Sequence, residues 1–165
     1  MISTEESNIV RIEQIPIRHV THLHTLFSDA LHSDFNYFSE AYRKKVLNTN
    51  NLLKMYLGTL NPSRLYIGLY YDNKLVGYSL SSVQPARQGF LYWLFVSPDL
   101  RNKKLGKQLL DKTENNLRAK GVDTLSLVTH NQQQFYERQD YVMEKILSEL
   151  VADVDMYVMK KQLVY

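Results

Sequence analysis

At 165 residues the chain suits one domain, able to bury roughly 70% of its unfolded surface without a covalent staple. Its 44% hydrophobic and 22% charged content is ordinary for a globular protein, and the lack of cysteine excludes disulfides and thiolate metal sites. The net charge of +3 is modest, no segment nears the ~18 unbroken apolar residues of a membrane span, and MISTEESNIV carries acids where a signal peptide would be basic, so a cytoplasmic protein is expected.

NIVRIE (8–13) alternates apolar and polar residues and predicts a first strand. Apolar residues recur at helical spacing from Arg18 to His32. The next segment, SDFNYFS (33–39), is aromatic and polar, as suits a loop that touches a ligand. A second helical region runs from Ser39, a candidate N-cap, to Leu60, with TNN (49–51) as a candidate break. SRLYIGLYYD (63–72) and LVGYSLSSVQ (75–84) form a hairpin, and the apolar GFLYWLFV (89–96) predicts a central strand. A helix follows from about Lys104 to Lys120, with an inner stripe of Leu105, Leu109, Leu110 and Leu117 and Gly121 as its C-cap. VDTLSLVT (122–129) is a strand, QQQFYERQ (132–139) a short helix, and 141–150 and 155–163 are the last two strands.

The expected order is β-α-α-β-β-β-α-β-α-β-β. This is an α/β (mixed α+β) fold: a mixed, mostly antiparallel twisted sheet of about seven strands with helices on both faces. No repeat, low-complexity tract or linker divides 1–165, so one domain is expected.

The chemistry concentrates in FVSPDLRNKKLGKQLL (95–110). A buried strand runs out at Pro98, a loop carries Arg101, Lys103, Lys104 and Lys107, and a helix opens around Gly106. The first amides of a helix lack internal partners and sit at its positive dipole end, where an anion is stabilised. Gly106 lacks a Cβ, so a phosphate can approach the backbone closely. The bland alternative is a solvated helix start with scattered lysines.

This stretch resembles the acetyl-CoA motif of the Gcn5-related N-acetyltransferases (GNAT), in which a Val-x-Pro-like strand end leads to Arg/Gln-x-x-Gly-x-Gly/Ala and a Leu-rich helix. Val96 and Pro98 match the lead-in, Arg101 the basic position, Gly106 the final glycine, and Leu109 and Leu110 the helix. FYERQDY (135–141) is similar to the family's Phe-Tyr-x-x-x-Gly-Phe segment, and the element order agrees from end to end. The chain departs from the pattern at Asn102, Lys104 and Asp140, where relatives carry glycine, and at Thr129, where relatives often carry asparagine, although Asn131 lies close by. Asn tolerates left-handed backbone, whereas Lys would lose about 1–2 kcal/mol there.

The resemblance implies roles. The strand ending in Leu94, Phe95 and Val96 should splay from its neighbour after Val128, admit the pantetheine arm of acetyl-CoA, and hold the thioester oxygen through an amide. Backbone amides of Asn102, Lys103, Lys104, Leu105, Gly106 and Lys107 would hold the pyrophosphate, with Arg101 and Asn131 also at the cofactor. Tyr136 would be the general acid toward the departing thiolate, since a phenol stays protonated at neutral pH. The alternative is that Tyr136 packs as core beside Phe135.

A general base is harder to assign, because the strand positions where relatives place a carboxylate are Tyr92 and Trp93. His130, Asp34 and Glu40 are candidates, and so is release of the proton to water. His19 and His22 share a helix face, but no carboxylate completes a metal set, so no metal is expected. The expected function is transfer of the acetyl group from acetyl-CoA to a primary amine of a small molecule or peptide, by direct attack. The competing function is a non-catalytic acetyl-CoA-binding module. Nucleic acid and membrane partners are not expected; a homodimer is compatible with this reading.

Overall fold

A computed structural model describes residues 9–151 and 154–163. Residue 8, where the first strand is expected to start, and the acidic residues before it lie outside that range. The elements are β1 (Val10–Gln14), α1 (Val20–Ser33), α2 (Glu40–Thr49), α3 (Leu52–Leu60), β2 (Arg64–Tyr71), β3 (Lys74–Gln84), β4 (Gln88–Val96), α4 (Leu105–Ala119), β5 (Thr124–Thr129), α5 (Gln133–Glu137), β6 (Val142–Val151) and β7 (Val154–Gln162). None of the described helices is long and apolar enough to cross a membrane.

The second helical region is two helices, so the observed order carries one helix more than expected. Its asparagines are the physical cause. Asn50 leaves helical geometry and its side chain donates to the Val46 carbonyl at 2.9 Å, ending α2. The Asn51 side chain then accepts from the Lys54 amide at 3.0 Å, capping α3. Ser39 caps α2 in the same way, accepting from the Tyr42 amide.

The seven strands form one sheet in the order β1-β2-β3-β4-β5-β7-β6. Among the described residues, only β4 and β5 pair in parallel; every other pair is antiparallel. The long apolar runs of β2 and β3 follow from burial on both faces. In β2, Leu65, Ile67 and Leu69 pack with Leu105, Leu109, Leu110 and Leu117 of α4. The alternate residue Tyr66 joins Val20, Leu23 and Phe27 of α1 and Met55 of α3 on the opposite face.

α4 ends in a Schellman arrangement: the Gly121 amide donates to the Arg118 carbonyl, the Val122 amide to Leu117, and Gly121 takes φ +84°. The inner face of α4 also carries Thr113 and Glu114, which the leucine stripe alone does not reveal. Glu114 is buried and accepts from the Tyr141 hydroxyl at 2.9 Å and from Lys161 Nζ at 2.8 Å. Glu114→Ala would strand the half-buried Lys161 cation without its partner. Urea unfolding should show a loss of about 3 kcal/mol, near the low end for a broken buried pair. A variant within about 0.5 kcal/mol of the parent would mean that Lys161 simply turns to solvent.

Candidate active site

β4 pairs with β3 as far as Val96, but its ladder with β5 has only four rungs, from Gln88↔Thr124 to Leu91↔Leu127. A bulge marks the point of departure: Leu80 faces Trp93 and Ser81 faces Leu91, so Tyr92 is the extra residue. Bulges sharpen strand twist and end pairing. Beyond it, the two neighbouring parallel strands share no rung, and a cavity of about 650 Å³ opens between them. Leu94, Phe95, Val96, Arg101, Gly106, Asn131 and Tyr136 all line it, joined by aromatic residues of the α1–α2 loop.

At one end of this cleft the chain makes a 3-10 turn at Pro98–Leu100 and enters α4 through a strained loop. Asn102 and Lys104 both take φ +61°. Lys104 is therefore left-handed immediately before the helix and bears roughly 1–2 kcal/mol of backbone strain that glycine would not. Asp140, after α5, is left-handed too, at φ +67°. At the three positions where the motif has lost its glycines, the backbone geometry that glycine suits is kept. None of the six amides from Asn102 to Lys107 donates to another group among the described residues. Successive free amides around left-handed residues at a helix start form a concave anion site.

Gly106 sits in this run. A Cβ built there would meet the Phe135 ring at 3.8 Å and the Val96 side chain at 3.9 Å, which is ordinary contact. The fold itself does not demand glycine at 106. Leu105 is buried in the core and offers the site only its backbone.

The cations of this loop divide into two kinds. Arg101 is held from three sides: Nε donates to the Val96 carbonyl at 2.9 Å, the guanidinium pairs with Asp34 of the α1–α2 loop, and it lies 5.6 Å over the Phe95 ring. Lys107 pairs with Asp111 one turn on, at 2.6 Å. That hydrogen bond raises its pKa above the usual lysine value. Lys103 and Lys104 have no acidic partner among the described residues.

Tyr136 lies on α5 with its ring edge-on to Phe135 at 5.0 Å and Tyr141 at 5.5 Å. The residue is 7% exposed, yet its hydroxyl has no partner among the described residues and the side chain lines the cleft. Burial pushes its pKa well above the ordinary phenol value, with neighbouring Tyr37 a lesser cause. Tyr37 is raised to about 12, by burial and then by Tyr42. Tyr37 and Tyr136 are therefore held protonated.

The candidate bases fare differently. Asp34 lines the cleft but is committed to Arg101. Glu40 is exposed in the first turn of α2. His130 bonds the Asp155 carbonyl through Nδ1 at 2.9 Å and its ring lies 4.5 Å from Tyr37. Tyr92 accepts from Ser82 and Gln84, and Trp93 is clamped edge-on by Phe27 and Phe35, each at 5.2 Å. His19 and His22 are adjacent, but among the described residues no three His, Asp or Glu side chains gather at a metal-binding distance.

Sequence reasoning missed the Asp34–Arg101 pair, whose partners stand 67 residues apart with no local signal. It also missed the role of Thr129, whose Oγ1 accepts from the Gln132 amide and turns the chain into α5. Gln132 lines the cleft as well.

A family model described as the acetyltransferase (GNAT) family matches residues 23–141. No protein of curated function matches the sequence. Solved structures share the fold. One is a paia N-acetyltransferase from Thermoplasma acidophilum in complex with coenzyme A: TM-score 0.78, 21% identity, covering 93% of this chain and 99% of that one. Another is yncA from Salmonella typhimurium with acetyl-CoA, at TM-score 0.76 and 15% identity, with 95% of each chain covered. A third is the ribosomal-protein-S18-alanine N-acetyltransferase from Escherichia coli: TM-score 0.72, 18% identity, covering 95% of this chain and 96% of that one.

Proposed function

The chain belongs to the acetyltransferase (GNAT) family, and from that premise we propose that residues 1–165 form one domain that acetylates a primary amine of a small molecule or peptide. The protein is an acetyl-CoA-dependent N-acetyltransferase; acetyl-CoA supplies the acyl group as a thioester. One observation carries the reading of the site: the cleft between diverging strands runs from six free amides to an unpartnered, buried phenol.

The residues present fit this co-substrate. Amides of Asn102 to Lys107 donate to the pyrophosphate oxygens, and the side of Gly106 without a Cβ permits close approach. Lys103 and Lys104 add uncommitted charge. Arg101 acts indirectly, fixing the end of β4 against the α1–α2 loop. The free edge of β4 at Leu94, Phe95 and Val96 pairs with the pantetheine arm as a strand would, and one of its amides stabilises the oxyanion that develops on the carbonyl. The amine nitrogen bonds to that carbon as the C–S bond breaks. Tyr136 gives its proton to the sulfur, and the amine's proton leaves through water, since Asp34 is committed elsewhere. Deprotonating an ordinary amine at pH 7 costs about 4–5 kcal/mol, a barrier that no charged group lining the cleft is free to lower.

Release of CoA from acetyl-CoA across a panel of small amines and peptide N-termini tests the reaction. Rates rising with at least one acceptor are expected. Tight binding of acetyl-CoA with no turnover by any amine would instead favour a non-catalytic module.

The loop lysines make a sharper test. Lys103→Ala and Lys104→Ala should each weaken CoA binding several-fold at low salt, with the difference shrinking in 0.5 M salt as charges are screened. Lys107→Ala should matter less because Asp111 already holds that ammonium. Lys104→Gly should raise stability by about 1 kcal/mol while still weakening CoA, separating relief of strain from loss of charge. Equal affinity in all four proteins would make these lysines a solvated helix start.

A further inference from the structure

A second cavity, of about 620 Å³, lies between α2, α3 and strands β2–β4. It meets the cleft at Tyr42, Tyr92 and Trp93, which line both. Its charged lining is of one sign: Lys45, Lys54 and Arg64, with no Asp or Glu. None of these three cations has an acidic partner among the described residues. Lys54 Nζ reaches only the Asn48 carbonyl, at 3.3 Å, and the Arg64 guanidinium lies 5.3 Å over the Tyr92 ring.

The wall between these cations is shaped around a polar group. Tyr66 lines the cavity at 8% exposure, and its hydroxyl has no partner among the described residues. α3 is notched to admit that phenol: a Cβ on Gly58 would fall 2.1 Å from the Tyr66 oxygen. That hydroxyl opens into the cavity rather than being sealed in the wall, so it can donate to a group held there.

Resting on the acetyl-transfer reading above, we propose that this cavity holds an anionic group of the acceptor. The substrate is then a small primary amine that carries a carboxylate or a phosphate. Its anion lies among Lys45, Lys54, Arg64 and the Tyr66 hydroxyl, and its amine passes Trp93 and Tyr92 to the thioester. The volume matches a small-molecule pocket rather than a protein interface. Arg64 is suited to a planar or tetrahedral oxyanion through its fork of donors, and the two lysines add charge of the same sign. A polycationic amine would meet three like charges, which selects against it.

The test measures binding to the protein–CoA complex by calorimetry, so that no turnover is needed. para-Aminomethylbenzoate is compared with its neutral amide, and O-phosphoethanolamine with ethanolamine; spermidine is the polycation. At least one anionic member should bind tenfold or more tightly than its neutral partner, and the pair that responds identifies carboxylate or phosphate. Lys54→Gln with Arg64→Gln should erase the preference while leaving CoA affinity and melting temperature unchanged. Equal binding within both pairs, tighter binding of spermidine, or a preference that survives the double variant would overturn the proposal. A preference in binding without acetyl transfer would sink the catalytic reading and keep this one; transfer to neutral amines without preference would do the reverse.

Discussion

Tyr136→Phe should lower turnover about 10²–10⁴-fold, the scale of a lost general acid, while acetyl-CoA affinity stays nearly constant. The phenylalanine keeps the ring contacts with Phe135 and Tyr141 and removes only the hydroxyl. That hydroxyl bonds to nothing among the described residues, so its loss should leave the melting temperature unchanged or slightly higher. A group used only in the transition state reduces kcat and kcat/KM together. Wild-type turnover in a folded Phe variant would remove Tyr136 from the mechanism and return it to the core.

The pH profile offers a second reading of the same residue. Its raised pKa means that Tyr136 stays protonated through and beyond pH 10, so activity should not fall by loss of this proton in the neutral or mildly alkaline range. The buried phenols Tyr70, Tyr78, Tyr136 and Tyr141 are all raised by burial. A folded pKa above the unfolded value stabilises fully below about pH 10 and is lost as pH rises further. Above that point a falling rate should coincide with unfolding, which far-ultraviolet circular dichroism would register.

Gly106→Trp should reduce acetyl-CoA affinity at least 100-fold, about 2.7 kcal/mol, by filling the space a phosphate needs beside the free amides. Gly106→Ala is the informative companion. Its Cβ finds only ordinary contacts with Phe135 and Val96, so the fold should tolerate it and gain a few tenths of a kcal/mol in helix propensity. Affinity should nonetheless drop measurably, because the crowding is with the ligand and not with the protein. If both variants bind acetyl-CoA as the parent does, measured by calorimetry with melting temperature as the folding control, the pyrophosphate does not lie on α4.

Local chemistry explains what was legible beforehand. The leucine stripe of α4, the hairpin of β2 with β3, Ser39 at the start of α2 and Gly121 after α4 depend on neighbours within a few positions. Periodicity and capping therefore expose them in one dimension. The break at TNN was legible as a candidate, but whether Asn50 and Asn51 end one helix and cap another depends on how Val46 of α2 and Met55 of α3 both reach the apolar cluster around α1.

The anion loop was half visible. Its basic residues and Gly106 stand in the sequence; the left-handed turns at Asn102 and Lys104 do not, because side chains that disfavour such backbone argue against them and only the strand-to-helix connection enforces them. By itself, the sequence determined the strands, the helices α1, α4 and α5, the basic helix start and the Phe135–Tyr136 pair. Tertiary structure alone decided that β7 inserts between β5 and β6, and that the bulge at Tyr92 pulls β4 from β5 to open the cleft. It also brought Asp34 to Arg101 and set Lys45, Lys54 and Arg64 around Tyr66. These relations join residues distant in the chain, and no local pattern encodes them: hydrophobic burial chooses the packing, and charge and hydrogen bonding then act on the neighbours that packing supplies.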